Sequence, residues 1–145
     1  AFKIVYGVPE PVSNFKAEIG GELFNPDTID VVTSLYEETE IFIVTATDSE
    51  TEQKIELFFP TNIELGTYEM SPSLIDGSEK VGEYTPNSSD AIIFSSMPGQ
   101  FTISEFDIDS GIIEGTFSFT ALDNDEVDPT VYEVTEGEFR LVIQF

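Results

Sequence analysis

The sequence has no cysteine, no histidine and no tryptophan, and only five of its 145 residues are lysine or arginine. Without cysteine there is no disulfide, no thiolate zinc centre and no thiol nucleophile. Without histidine, Ser-His-Asp and Cys-His machinery cannot be assembled, and zinc would have carboxylates alone as ligands. A Ser-Lys dyad would have to use Lys3, Lys16, Lys54 or Lys80, and none lies in a recognisable signature. No stretch is long and apolar enough for a transmembrane helix, and the opening AFKIVYG is too short and too polar for a signal peptide. The expectation is a chain that begins after a removed leader.

What is present is acid and aromatic. There are 29 Asp plus Glu, for a formal net charge of −24, beside 13 Phe and 5 Tyr in a chain that is 40% hydrophobic. That aromatic content exceeds what a disordered acidic chain carries, so the acid belongs to the surface of a folded domain. Such a surface repels phosphate backbones and anionic headgroups, which argues against nucleic acid and against charge-driven membrane binding. It attracts divalent cations and basic proteins, and its self-repulsion predicts a fold that salt stabilises.

The length suits one domain with an ordinary core. Helical periodicity is nearly invisible, whereas alternation with period two recurs from end to end. Ile29, Val31, Thr33 and Leu35 share one face, as do Ile41, Ile43 and Thr45, then Ile55, Leu57 and Phe59. A short apolar run at 91–96 reads as a buried strand. Phe101 with Ile103, then Ile113, Phe117 and Phe119, and last Phe139, Leu141, Ile143 and Phe145 continue the pattern. Gly20-Gly21 is a two-residue hairpin signal, and residues 62–89 read as short strands joined by long surface loops. Pro9 and Pro11 make residues 1–14 an arm or edge strand, leaving 15–145 as the domain proper. The expected architecture is an all-β, antiparallel two-layer β-sandwich, with a closed or partly open β-barrel as the alternative. One register break is predicted: Phe101 and Ile103 have opposite parity to Phe106 and Ile108, which calls for a β-bulge near Ser104-Glu105.

The block FTISEFDIDSGIIEGTFSFTA at 101–121, followed by VYEVTEGEFRL, resembles a family of uncharacterised lipoproteins of Bacteroidota. The strand Gly115-Thr116-Phe117-Ser118-Phe119-Thr120-Ala121 and the closing Val134-Thr135-Glu136-Gly137-Glu138-Phe139 carry the likeness. Phe15-Lys16-Ala17 with Gly20-Gly21-Glu22-Leu23-Phe24, and Gly66-Thr67-Tyr68, extend it over most of 15–145. The resemblance implies a lipid-anchored protein exported to the periplasm or the outer-membrane surface, although the anchoring cysteine is not in this chain. It brings no catalytic residues.

Two acidic loops are the candidate cation sites. In Asp107-Ile108-Asp109-Ser110-Gly111, oxygen ligands alternate ahead of a glycine bend, as a Ca²⁺ loop requires, so Asp107 and Asp109 are the first candidates. The EF-hand pattern is absent, and the same residues make a common polar β-turn, which is the preferred reading. Asp123, Asp125 and Asp128 form a second, weaker candidate, expected at the opposite end of the strand 112–121. The acidic runs 37–40 and 48–53 read as solvated turns. The outward Thr116, Ser118 and Thr120 suggest a sugar- or ice-binding stripe but more simply a solvated sheet face. Tyr36, Tyr68, Tyr84 and Tyr132 read as half-buried rings with satisfied hydroxyls rather than a stacking platform. The chain is therefore expected to be a monomeric, non-catalytic binding module of the cell surface or periplasm, with a protein or glycan partner, no cofactor beyond weakly associated Ca²⁺, and membrane attachment only through a lipid anchor. The alternative is a carboxylate-based polysaccharide hydrolase.

Overall fold

A computed structural model describes residues 13–87, 94–107, 109–122 and 131–143. All its regular elements are strands: β1 (Asn14–Ile19), β2 (Glu22–Phe24), β3 (Thr28–Tyr36), β4 (Thr39–Asp48), β5 (Gln53–Pro60), β6 (Gly66–Glu69), β7 (Val81–Thr85), β8 (Phe94–Asp107), β9 (Ile112–Leu122) and β10 (Val131–Val142). They form one antiparallel sheet in the order β2-β1-β10-β9-β8-β7-β5-β4-β3, with β6 beside β7 on the same edge of β8. The all-β class holds. Of the two architectures, the chain adopts the partly open barrel: a single sheet curled on itself, rather than two separate layers. The predicted arm at 1–14 lies almost wholly outside the described residues, and its last residue, Asn14, already pairs with Arg140 in the sheet.

The turns follow from local chemistry. Gly20 and Gly21, at φ of 60° and 85°, let Ile19 pair with Glu22 in a two-residue hairpin whose twist matches the strands. Between β4 and β5, the Asp48 carboxylate accepts the amides of Glu50 and Thr51. β2 and β3 run in the same sense with only residues 25–27 between them, so one kinked stretch of chain borders both ends of the sheet.

The curl has a cause that the strand pattern alone does not show. Three one-residue slips interrupt the ladders of the C-terminal half. Two lie in β8, between Ser96 and Gly99 and between Ile103 and Glu105, and one lies in β10 between Val134 and Gly137. The second is the predicted bulge, with Ser104 as the extra residue, so that Phe106 turns inward after Ile103. Bulges increase local twist and bend the strand. Glycines take up the resulting closeness. Three Gly-x-Phe triplets, Gly99-Gln100-Phe101, Gly115-Thr116-Phe117 and Gly137-Glu138-Phe139, interlock across neighbouring strands: Gly115 is paired with Phe139, Gly137 with Phe117, and Gly99 with Phe119. A Cβ on Gly137 would lie 2.6 Å from the Phe117 ring, and one on Gly115 would meet both the Phe139 ring and the Thr102 carbonyl. Each ring covers the backbone that a missing side chain exposes.

The concave face holds the core. Phe59 on β5 packs against Phe42, Phe101 and Phe139, with ring centroids 5.4, 5.0 and 6.4 Å away, and so joins the two walls. Each such fully buried ring is worth about 1.5–3 kcal/mol of transfer free energy. The alternation of Ile55, Leu57 and Phe59, of Ile113, Phe117 and Phe119, and of Phe139 and Leu141 is the core pattern predicted. In β4 the reading is corrected: the core face carries Phe42, Val44 and Ala46, not Ile41, Ile43 and Thr45. Ile41 is nevertheless buried, because residues 71–80 fold back over the convex face. There Ser71 bridges to Val81, Tyr36 donates its hydroxyl to the Leu74 carbonyl at 3.0 Å, and Gly77 lies against Thr39. The buried Ser96 hydroxyl fixes this strap, donating to the Ser71 carbonyl at 2.7 Å and accepting the Gly82 amide at 3.0 Å. Residues 91–93 of the predicted run at 91–96 are outside the described residues, while Phe94 and Ser96 are buried.

Candidate functional site

Inward side chains of β8, β9 and β10 are consumed by the core, so any ligand chemistry on these strands must use their outward partners. These are Thr116, Ser118 and Thr120 on β9, Gln100 and Thr102 on β8, Glu133, Thr135 and Glu138 on β10, and Thr67 and Glu69 on β6. Three adjoining depressions cross this face. The first, about 340 Å³, lies between Lys16, Ser104, Glu114, Thr116, Glu138 and Arg140. The second, about 370 Å³, shares Thr116 and Glu138 with it and adds Gln100, Thr102, Ser118 and Thr135. The third, about 400 Å³, shares Gln100, Ser118 and Thr135 with the second and reaches Glu69, Pro98, Thr120 and Glu133. Together they form a furrow along the Thr116-Ser118-Thr120 stripe. Each depression is lined by one of the triplet glycines, Gly115, Gly137 and Gly99 in turn.

The furrow is polar and already ordered. Thr67 and Thr102 share a hydrogen bond of 2.9 Å across β6 and β8, and the Thr120 hydroxyl donates to the Glu133 carboxylate at 3.1 Å. At one end Lys16 pairs with Glu138 and Arg140 with Glu114, both at 3.0 Å. Lys54 pairs with Glu56, and the Lys80 ammonium sits 4.3 Å from the centre of the Tyr68 ring. Each described cation is thus engaged locally, which leaves the acid elsewhere on the surface uncompensated. Side by side, the hydroxyls, the Gln100 amide and the flanking carboxylates can donate to and accept from a polyhydroxylated ligand.

A second site lies on β5 and β7. Glu56 and Glu83 are direct cross-strand neighbours, a placement that brings two carboxylates close. Burial, then the Glu56 charge, hold Glu83 above the ordinary carboxylate range, while Lys54 draws it down. Glu56 is held by Lys54 at 3.2 Å and by the Thr45 hydroxyl at 3.2 Å. This pair was not singled out from the sequence; the signal was the alternation that places Lys54, Glu56 and Phe58 on one face.

The predicted cation residues fare differently. Asp107 uses its Oδ1 to accept the amides of Asp109 and Ser110 at 3.0 and 3.3 Å, and Gly111 closes the turn at φ 74° with its amide on the Asp107 carbonyl. The turn is therefore an Asx-type bend, with Asp109 exposed beside it. Both aspartates border an open hollow of about 680 Å³ with Leu65, Ser104, Glu105 and Phe106. Asp123, Asp125 and Asp128 lie outside the described residues, as does Ile108. Among the described residues no group of three acidic side chains is gathered as a metal would need. The tyrosines form no common platform: Tyr84 and Tyr132 meet, whereas the Tyr36 and Tyr68 hydroxyls are bonded to the Leu74 and Glu64 carbonyls. Tyr84 is buried, bonded to the Gln53 amide at 2.9 Å and edge-on to Tyr132, while Tyr68 donates to the Glu64 carbonyl at 2.6 Å.

The chain belongs to the family described as a domain of unknown function (DUF6252), which matches residues 12–142. No curated protein and no solved structure matches it.

Proposed function

We propose that this domain is a non-catalytic binding module that takes a neutral glycan chain along the furrow of β8, β9 and β10. The observation that carries the reading is the continuity of the three depressions along a stripe of hydroxyls with Gln100 at its centre. The acidic surroundings disfavour uronic acids and sulfated chains, so the ligand is uncharged or amino-substituted. The resemblance to lipoproteins of Bacteroidota fits a monomeric module held at the periplasmic or outer-membrane surface by a lipid anchor, where glycans are available. A weak association of Ca²⁺ with the acidic surface around Asp107 and Asp109 belongs to the same reading.

Titration calorimetry against a panel of neutral and uronate oligosaccharides tests the proposal. Binding of a neutral chain, lost in Gln100→Ala/Thr116→Val at unchanged thermal stability, is expected. Equal binding by the variant, or a preference for uronates, would sink it.

The second reading, a carboxylate hydrolase, is favoured by the Glu56–Glu83 pair, because two cross-strand carboxyls, one of them raised by burial and by its neighbour's charge, are the kind of pair that general acid catalysis uses. Release of reducing ends from neutral polysaccharide, abolished in both Glu83→Gln and Glu56→Gln, would favour it over the binding module.

A further inference from the structure

The two borders of the sheet are built in opposite ways. β2 is three residues long and flanked by the Gly20-Gly21 turn. β3 is nine residues long, and its ladder to β4 runs from Thr28–Thr47 to Tyr36–Thr39 without a slip. Among the described residues no strand pairs with its other edge. Proteins blunt such edges with lysine, proline, bulges or shortness. β3, TIDVVTSLY, has none of these, and its one charged side chain, Asp30, lies near its start. Its centre is uncharged and exposes apolar side chains on both faces, with Val32 at 54% and Leu35 at 73% of their full accessibility.

Charge decides what can add to this edge. Residues 17–53 contain ten Asp or Glu and no Lys or Arg. The acids stand at the two ends of β3: Asp27 and Asp30 at its start, and Glu37, Glu38 and Glu40 past its end. A second copy of the chain, paired antiparallel about Val32, would set Glu37 and Glu38 of each molecule against Asp27 of the other. Like charges so placed oppose pairing. An extended segment with an apolar centre and lysine or arginine at both ends meets complementary charge at both.

The tip is also held in an unusual state. Glu37 and Glu38 form the two-residue turn between β3 and β4 at φ of 57° and 101°, a conformation that Asn-Gly adopts far more readily. Local backbone cost is thus accepted where two carboxylates project at the end of the open edge.

We propose that β3 is a docking edge that adds an extended, basic-flanked segment of a partner protein as an eleventh strand. Main-chain hydrogen bonds supply the affinity, Val32 and Leu35 contact alternate side chains of the guest, and the acids at both ends set its charge. The site is separate from the glycan furrow and does not depend on it.

The test is fluorescence anisotropy with a labelled peptide of alternating Val and Thr flanked by lysine pairs, beside the same peptide flanked by glutamates. The lysine peptide is expected to bind one to one, the glutamate peptide at least tenfold more weakly. Val32→Lys/Leu35→Lys should reduce binding of the lysine peptide at least tenfold. Glu37→Asn/Glu38→Gly should also weaken it while raising the melting temperature, because the new turn suits its backbone; a merely structural role would not separate the two readouts. Amide chemical-shift changes should gather on residues 28–36. No binding, equal binding of both peptides, shifts gathered on the furrow, or dimerisation through β3 would each overturn the proposal.

Discussion

The two walls of the curled sheet solve the same packing problem by different means. From β3 to β7 the ladders run without a slip, and no glycine occurs in β3, β4 or β5. From β8 through β10 to β1 the ladders slip repeatedly, and glycines face aromatic rings across the strands. The regular wall has no register slip and stops at an edge that no strand among the described residues covers. In the interrupted wall the same bends that bring Phe117, Phe119 and Phe139 into the core leave the depressions on the reverse side. Curvature and surface depressions thus have one origin, the exchange of side chains for backbone at Gly99, Gly115 and Gly137.

The sharpest way to break this contrast is an alanine substitution on each wall. Gly115→Ala forces a carbon against the Thr102 carbonyl and the Phe139 ring, and a cost of about 3 kcal/mol is expected, read by urea unfolding. Thr33→Ala on the exposed edge of the regular wall should stay within about 0.5 kcal/mol. Similar losses at the two sites would show that the walls do not differ as described.

Salt should act on the walls unequally. The melting temperature is expected to rise with NaCl up to about 0.3 M, as screening shortens the reach of surface repulsion. Hydrogen-exchange protection should rise more in β3 and β4, which carry no cation, than around the Lys16–Glu138 and Arg140–Glu114 pairs. A melting temperature that falls with salt would remove self-repulsion as a factor.

The smallest effect is expected at Glu83, where the walls meet through β7. Its carboxyl is held above its unfolded range by burial and by Glu56, so the folded state binds the proton more tightly than the unfolded one. Its contribution is therefore favourable at low pH and is lost as pH rises through the raised value. Glu83→Gln should raise the melting temperature at pH 7, and the gain should vanish below the usual carboxylate range. A variant less stable than the parent at pH 7 would show that the ionised carboxylate has a stabilising partner.

Much of the fold was legible because a half-buried strand writes its environment in alternate letters. The bulge at Ser104 could be read from the parity change between Ile103 and Phe106 alone. β4 was misread because it is apolar on both faces: Ile41 and Ile43 lie outside, with Ile41 buried as residues 71–80 fold over that face, and alternation cannot tell two buried faces apart. The β10 slip left the same kind of trace, since Val134 and Phe139 both face inward at odd separation, but the solvent-like Glu136 and the glycine between them hid it. The furrow was half visible. Its Thr-Ser stripe was written in β9, whereas Gln100, Lys16 and Arg140 reach it only through pairings between distant strands. The Glu56–Glu83 pair was invisible for the same reason, because its partners come from strands that a long loop separates.

The pairing of the first described strand with the last sets a timetable. Phe15 finds Phe139 only after all the strands between them have been made, roughly ten seconds after its own synthesis at common translation rates. Until then Phe15 and Phe24 have no finished wall to enter, and contacts between residues so far apart make the final closure slow. During that wait the dense acidic charge keeps neighbouring nascent chains apart. The same charge whose self-repulsion the salt titration tests would then act in the chain's favour while it is being made.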